Sequence, residues 1–353
     1  MKTEHILIIR FFAIGDVAMT VPVVYSLANQ YPQLRITVLS RPFAKSFFEN
    51  LAPNVSFMGA DVKGEYSGIK GLNALYRRLA AKQFTAIADF HQVLRSNYLR
   101  LRFNMDHLRV EHIDKHRDGR RRLIAQDRKK LIQQPTETQN YAEVLKKLGY
   151  PIQVKFTSIF PPEGGNLRLL PKESIGIKKG FQQWIGIAPF AAHEAKTYPF
   201  ELMEKVIQLL IFRHPSCRIF LFGGKDNNEK KDLDKWSKTY PCCVNASALL
   251  KNLRKELILM SHLDVMVSMD SANMHLASLV HTPVVSIWGA THPYAGFMGW
   301  GQNPNNAVQL DLSCRPCSIY GNKSCFRGDY ACLKNIPPEM IADRIDINLL
   351  RKK

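Results

Sequence analysis

Two doubly wound α/β domains are the fold that this sequence predicts, on three observations. Short apolar runs alternate with helix-length amphipathic stretches almost from end to end, an irregular stretch breaks that alternation near the middle, and the chain is 353 residues long. That length is generous for one core and short for three. Hydrophobic residues make up 46% of the chain, enough to fill two interiors.

In the first half the apolar runs predict strands over 6–9, 36–39, 55–58 and 86–90, with helices over 17–30, 71–82 and 92–102. The interruption lies at 161–180, where Pro161-Pro162 and Gly164-Gly165 precede a Lys-rich end. A second series follows, with strands over 184–188, 218–222, 264–268 and 283–288 and helices over 200–213, 227–238, 249–261 and 272–280. The expected domains are therefore 1–165 and 181–336, with a terminal helix over 337–350 long enough to return to the first domain.

Charge and cysteine content narrow the function classes. The net charge of +19, from 49 Lys and Arg against 30 Asp and Glu, calls for an anionic partner: nucleic acid, a phosphorylated substrate or an acidic membrane face. No stretch approaches the roughly 20 apolar residues of a membrane span. The run at 6–9 is broken by Arg10 and lacks the core of a signal peptide, so a cytoplasmic protein is expected. Seven cysteines, an odd number, argue for reduced thiols rather than a complete disulfide framework.

Ligands of doubly wound sheets bind beyond the carboxyl ends of the strands, so chemistry is sought where each strand stops. The fullest signal is the run from Asp264 to Pro293. Its first strand leads into Asp270-Ser271-Ala272, a helix carries His275, and the next strand ends in Gly289-Ala290-Thr291. Asp270 or Ser271 can cap the helix, which leaves backbone N–H groups and the positive dipole end for a diphosphate. The plainer reading is an ordinary cap with a histidine packed on the sheet.

Two neighbouring strand ends resemble it in kind. Pro189 is followed by Lys196-Thr197-Tyr198-Pro199, where Lys196 can neutralise a departing diphosphate or sit in a surface pair with Glu194. Gly223-Gly224 allows a tight turn and close backbone approach. In the first domain Asp16 stands where the first strand meets the first helix, in Ile14-Gly15-Asp16-Val17 with Thr20-Val21-Pro22. It is either a helix cap or a general base.

Taken together, these segments resemble the ADP-heptose:lipopolysaccharide heptosyltransferases, glycosyltransferase family 9. The resemblance rests on Ile14-Gly15-Asp16-Val17, Thr20-Val21-Pro22, Pro189, Lys196-Thr197-Tyr198-Pro199, Gly223-Gly224, and Asp270-Ser271-Ala272 with His275 and Ala277, in order across nearly the whole chain. Phe190 stands where that family usually has Gly, and Ala290 where it usually has Pro.

The resemblance implies a GT-B fold, two Rossmann-like domains with the active site between them. It also implies inverting, metal-independent transfer of heptose from an ADP-sugar to an anionic lipopolysaccharide core acceptor. Asp16 would be the base and Lys196 the stabiliser of the leaving ADP. Pro189, Thr197, Gly223, Gly224, Asp270, Ser271, Ala272 and His275 would hold the donor. No cofactor is expected.

Two clusters remain. Cys314, Cys317, Cys325 and Cys332 form a four-thiol set that would suit zinc, but the intervals are less regular than two CxxC knuckles, and a reduced loop without metal is preferred. From Arg95 to Lys130 there are 12 Lys or Arg against 5 Asp or Glu. A solvated face is the plain reading. With the resemblance, Arg120, Arg121 and Arg122 become acceptor-binding candidates, with peripheral contact at the inner-membrane surface.

Nucleic acid is disfavoured, since neither an aromatic-interleaved RNA motif nor a zinc-finger spacing accompanies the charge. The rival readings are a nucleotide-sugar epimerase of the same fold and a non-catalytic, basic nucleic-acid-binding protein.

Overall fold

The computed structural model describes residues 4–223 and 227–350. The chain divides into two compact units, one of residues 1–115 and 135–159, the other of residues 116–134 and 160–353.

The first unit is built on β1 (His5–Ile9), β2 (Arg35–Ser40), β3 (Val55–Gly59), β4 (Ala86–Asp89) and β5 (Arg109–His112). They lie in the order β3-β2-β1-β4-β5, and every pairing is parallel. β1 and β4 are buried along their whole length, as strands covered on both faces must be, which is why they read as unbroken apolar runs. On one face Leu7, Ile9, Leu39 and Ile87 pack with Leu75 and Leu79 of the helix Gly68–Ala80 and with Leu99 and Phe103 of the helix Leu94–Met105.

The single helix expected over 17–30 is two, Ile14–Ala18 and Val21–Gln30. Pro22 in the first turn of the second has no N–H to continue an upstream ladder, and the Thr20 hydroxyl donates to Val17 O at 2.7 Å across the break.

In the second unit β6 (Trp184–Ala188), β7 (Arg218–Leu221), β8 (Cys243–Asn245), β9 (Val265–Met269), β10 (Val284–Ile287) and β11 (Ala307–Val308) form a sheet of order β11-β10-β9-β6-β7-β8. All of its pairings are parallel. The edge strands β8 and β11 were not expected. At three and two residues they carry too little pattern to read.

The terminal helix, Pro338–Leu350, packs within the second unit. It lies on the helix Phe200–Arg213 and the strands β9, β10 and β11. Ile341, Ile345 and Leu349, four residues apart on one stripe, join the core with Val206 and Leu210, while Arg213 donates to Asp343 at 2.7 Å and Asp346 at 2.8 Å. No helix among the described residues is long and apolar enough to cross a membrane.

Ile345 is fully buried in that core. Ile345→Ala is expected to lower the unfolding free energy by about 2–5 kcal/mol, read as a reduced urea midpoint at unchanged slope. A loss within error would mean that the helix is dispensable to the unit.

Candidate functional site

The carboxyl ends of β6, β9 and β10 bring together the loops that the sequence singled out in the second unit. β6 leads into Pro189, which is buried, and Lys196 closes the 3-10 turn Glu194–Lys196 beyond it. β9 leads into Asp270, followed by the helix Ala272–Leu279 with Ser271 as its N-cap residue. The two meet, with Lys196 Nζ 3.3 Å from Asp270 Oδ2 and the side chains 15% and 8% exposed. The Thr291 hydroxyl donates to the same oxygen at 2.8 Å.

Asp270 is thereby corrected from helix cap to ion-pair partner. Ser271 makes no side-chain hydrogen bond to the first turn either, so the helix begins uncapped by a side chain. Its hydroxyl lies 3.2 Å from that of Ser268. Glu194, the other expected partner of Lys196, instead accepts from the Tyr330 hydroxyl at 3.1 Å. His275, in the first turn, is 7% exposed, and Ala272 is half-buried.

Both departures from the family pattern have a physical reading. The Phe190 ring is stacked with Phe200, which stacks on Trp236 with centroids 3.9 Å apart, so the aromatic side chain is part of a packed column. Gly223 stands against it at φ +122, where a Cβ would come within 3.0 Å of the Phe190 ring. Gly224 lies outside the described residues. Ala290, where Pro is usual, retains an N–H and donates it to Ala195 O at 2.9 Å, which ties the β10 loop to the β6 loop. The Ala290 carbonyl accepts from Cys317 and Ser318 at 3.0 and 3.2 Å.

Sequence reasoning missed the residue that holds these loops together. Arg315, 4% exposed, donates to the carbonyls of Gly289, Leu310 and Thr291 and to Gln309 Oε1. It lies inside the cysteine segment and had no pattern of its own. Gly321, at φ +73, packs so tightly on the Lys196 stem that a Cβ would meet Lys196 Cγ at 2.3 Å. Thr197 is half-buried, its hydroxyl donating to His193 O at 3.1 Å.

The four thiols Cys314, Cys317, Cys325 and Cys332 are free and line one small cavity of about 10 Å³, room for a single water at most. Burial pushes the Cys332 thiol up to about 11 and raises Cys317 as well, which favours protonated thiols. Among the described residues no three His, Cys, Asp or Glu side chains are placed to hold a metal ion.

The basic candidates also divide. Arg120 is 5% exposed, with its guanidinium 4.6 Å over the Phe297 ring and 3.4 Å from the Tyr320 hydroxyl. It is a packing residue of the second unit rather than part of an open basic face. Arg121 and Arg122 are exposed.

In the first unit Asp16 is not the cap residue of its helix but the third residue in it, and its Oδ2 accepts from the Ala13 N–H at 3.2 Å. The same oxygen is paired with Arg10. Arg10 is buried and donates to Phe90 O at 2.7 Å. Desolvation alone would depress it, but the fields of Asp16, Tyr141 and Glu137 outweigh that and keep it charged.

His91, at the end of β4, lies beneath this loop with its ring 4.5 Å from that of Phe12. Burial, reinforced by Arg10 and Lys115, pushes it down to about 3. Its Nδ1 faces the Phe11 N–H at 3.4 Å, as a neutral ring with its proton on Nε2 would. Asp89 accepts from the His91 and Gln92 N–H groups at 2.8 and 3.0 Å and pairs with Arg100 at 3.1 Å.

Two α/β units with wholly parallel sheets are the plan of the GT-B fold. The comparisons make the assignment specific. The profile of glycosyltransferase family 9 (heptosyltransferase) matches residues 72–324, more than half of the chain, and the chain belongs to that family.

The chain is 26% identical over 314 residues to lipopolysaccharide heptosyltransferase 3 of Escherichia coli, covering 84% of this chain and 85% of that protein. Among solved structures, a family 9 glycosyltransferase from Veillonella parvula superposes with TM-score 0.72 at 18% identity, covering 99% of this chain and 98% of that one. The E. coli heptosyltransferase WaaC with ADP-2-deoxy-2-fluoro heptose gives 0.67 at 18%, covering 98% and 99%.

A neutral His91 fixes the sign of a pH dependence. Its contribution to stability is complete above the unfolded value of about 6.5 and falls by about 1.4 kcal/mol per pH unit as pH drops toward the folded value. In urea titrations between about pH 7 and pH 5, His91→Gln should lose less stability than the parent chain, by about 2 kcal/mol. Parallel profiles would show that His91 titrates alike in the folded and unfolded chain.

Proposed function

We propose that this glycosyltransferase moves a heptose from ADP-heptose to a lipopolysaccharide inner-core acceptor, by inverting displacement without a metal ion. It would work in the cytoplasm, at or near the inner-membrane surface. The observation that carries the reading is the Lys196–Asp270–Thr291 cluster beside a helix start uncapped by a side chain, in a chain of the heptosyltransferase family. The donor choice is supported by relatives whose names specify ADP-heptose or lipopolysaccharide.

In this reading the first-turn N–H groups of Ala272–Leu279 and the Lys196 ammonium face the diphosphate. Asp270, itself held by the Thr291 hydroxyl, keeps Lys196 in place until the donor arrives, and His275 lies one turn into the same helix. Asp16, oriented by Arg10 and the Ala13 N–H, takes the proton of the acceptor hydroxyl. The acceptor oxygen bonds to the anomeric carbon as the bond from that carbon to the diphosphate oxygen breaks, which inverts the configuration. ADP leaves with the electron pair, and its new charge is stabilised by Lys196 and the helix dipole.

The test is ADP release from ADP-heptose with and without a deacylated inner-core acceptor. Release that depends on acceptor is expected. Asp16→Ala should lower kcat by about 10²–10⁴-fold while the fold is kept, and Lys196→Ala should lower it by at least about 10²-fold. Asp16→Ala at near-parent turnover would remove Asp16 from the role of base. ADP release indifferent to acceptor would overturn the transferase reading. Donor at about 100 times its dissociation constant should also raise stability by about 2.7 kcal/mol, an independent check on binding.

A further inference from the structure

The face formed by the helices Gly68–Ala80 and Leu94–Met105 is the feature of the first unit that no part of the proposed chemistry uses. Leu94, Leu101 and Met105 follow one another at intervals of seven and four residues, which places them on one stripe of the second helix, and they are 85%, 59% and 66% exposed. Ile69, at the start of the neighbouring helix, is 74% exposed. Four large apolar side chains in water on two adjoining helices need a reason.

The charges within the two helices are one-sided, and Asp106 just beyond the second is held by Tyr76. Lys70, Arg77 and Arg78 lie on the first helix and Arg95, Arg100 and Arg102 on the second, and neither helix contains an Asp or Glu. Arg100 is turned inward to the buried carboxylate of Asp89. Lys70, Arg77 and Arg78 are exposed, and Arg95 and Arg102 are half-exposed. Arg102 donates to Asn73 at 3.2 Å and lies 4.3 Å over the Tyr76 ring, and the Tyr76 hydroxyl donates to Asp106 at 2.6 Å, so the two helices present one fixed face.

We infer that this face docks on an anionic phospholipid bilayer, with Leu94, Leu101, Met105 and Ile69 entering the headgroup region and the Lys and Arg side chains meeting lipid phosphates. Charge complementarity selects this occupant. A second copy of the chain would bring the same cations and a further +19 of net charge against them. An amphipathic helical face with large apolar side chains amid Lys and Arg is the form that lies in a lipid interface. The inference deepens the proposed function, since it names the part of the chain that would seat the enzyme where a lipid-linked acceptor lies.

The experiment is co-sedimentation of the full chain with vesicles, with neither donor nor acceptor present, so its outcome is independent of whether the transferase reading stands. Vesicles of phosphatidylcholine with roughly one third phosphatidylglycerol, in roughly 0.15 M salt, should bind the chain, and pure phosphatidylcholine much less. The triple variant Leu94→Ser, Leu101→Ser, Met105→Ser should bind at least about tenfold more weakly. Phe212→Ser, at a site 84% exposed in the second unit, should bind like the parent.

Because all four positions are exposed, the variants should melt like the parent, and a thermal melt by circular dichroism verifies it. Equal vesicle binding by the parent and the triple variant would overturn the inference. So would self-association of the parent, without vesicles, that the triple variant abolishes, since the face would then belong to a second copy.

Discussion

A strand covered on both faces has no place for a charged side chain except at its ends, and that constraint organises both units. β1, β4, β6, β9 and β10 are buried from first residue to last. Every pairing is parallel, so all carboxyl ends in a sheet lie at one edge, and the charged groups excluded from the interior collect there. Asp89 and Asp270 illustrate it. Each immediately ends or follows a wholly buried strand, and each is met by a cation from another element, Arg100 of the helix Leu94–Met105 in one case and Lys196 of a 3-10 turn in the other.

The donor-side loops differ in what fixes them. Lys196 belongs to a short 3-10 turn, and a long flexible side chain there would wander without support. Its stem is pinned by Gly321, its ammonium by Asp270, and its loop by the hydrogen bond from Ala290 to Ala195 O. Arg315 then ties down Gly289 and Thr291 on the far side. A buried guanidinium with several carbonyl partners is well suited to this, since its planar fork makes several hydrogen bonds for little loss of side-chain freedom. The cysteine-containing segment thus supports the site through Arg315 rather than through its thiols.

How much of this could be read from the residues follows from how local each signal is. The inner strands and the helices Phe200–Arg213 and Ala272–Leu279 were legible because their apolar pattern is dictated by burial on the spot. Lys196, Asp270 and Asp16 were legible as polar residues at strand ends, but their partners were not. The Lys196–Asp270 pair spans 74 residues of sequence, and nothing in either segment marks the other. Glu194, two residues away, was the obvious partner and was wrong, since its side chain turns to Tyr330. Arg315, His91 and Arg10 had no readable pattern, because their roles depend on carbonyls and rings brought from elsewhere in the fold. The short β8 and β11 had too few residues to alternate.

The basic run shows the same limit from the opposite side, since proximity in sequence suggested one surface where the fold makes several separate uses of charge. The chain passes from one unit to the other between Lys115 and His116, in the middle of that run. Before the boundary, Arg100 is spent on Asp89, and Arg109 donates to Glu4 and Tyr150 at the sheet edge. After it, Arg120 is packed against Phe297 and Lys129 donates to Ser313 O at 3.1 Å. A count of cations therefore overstates what is available to a ligand. What distinguishes the Gly68–Ala80 and Leu94–Met105 face is not the number of its charges but their company, since exposed cations stand there beside exposed leucine and methionine with no acidic residue in either helix. Exposure of that kind is a property of packing, and only the folded chain reveals it.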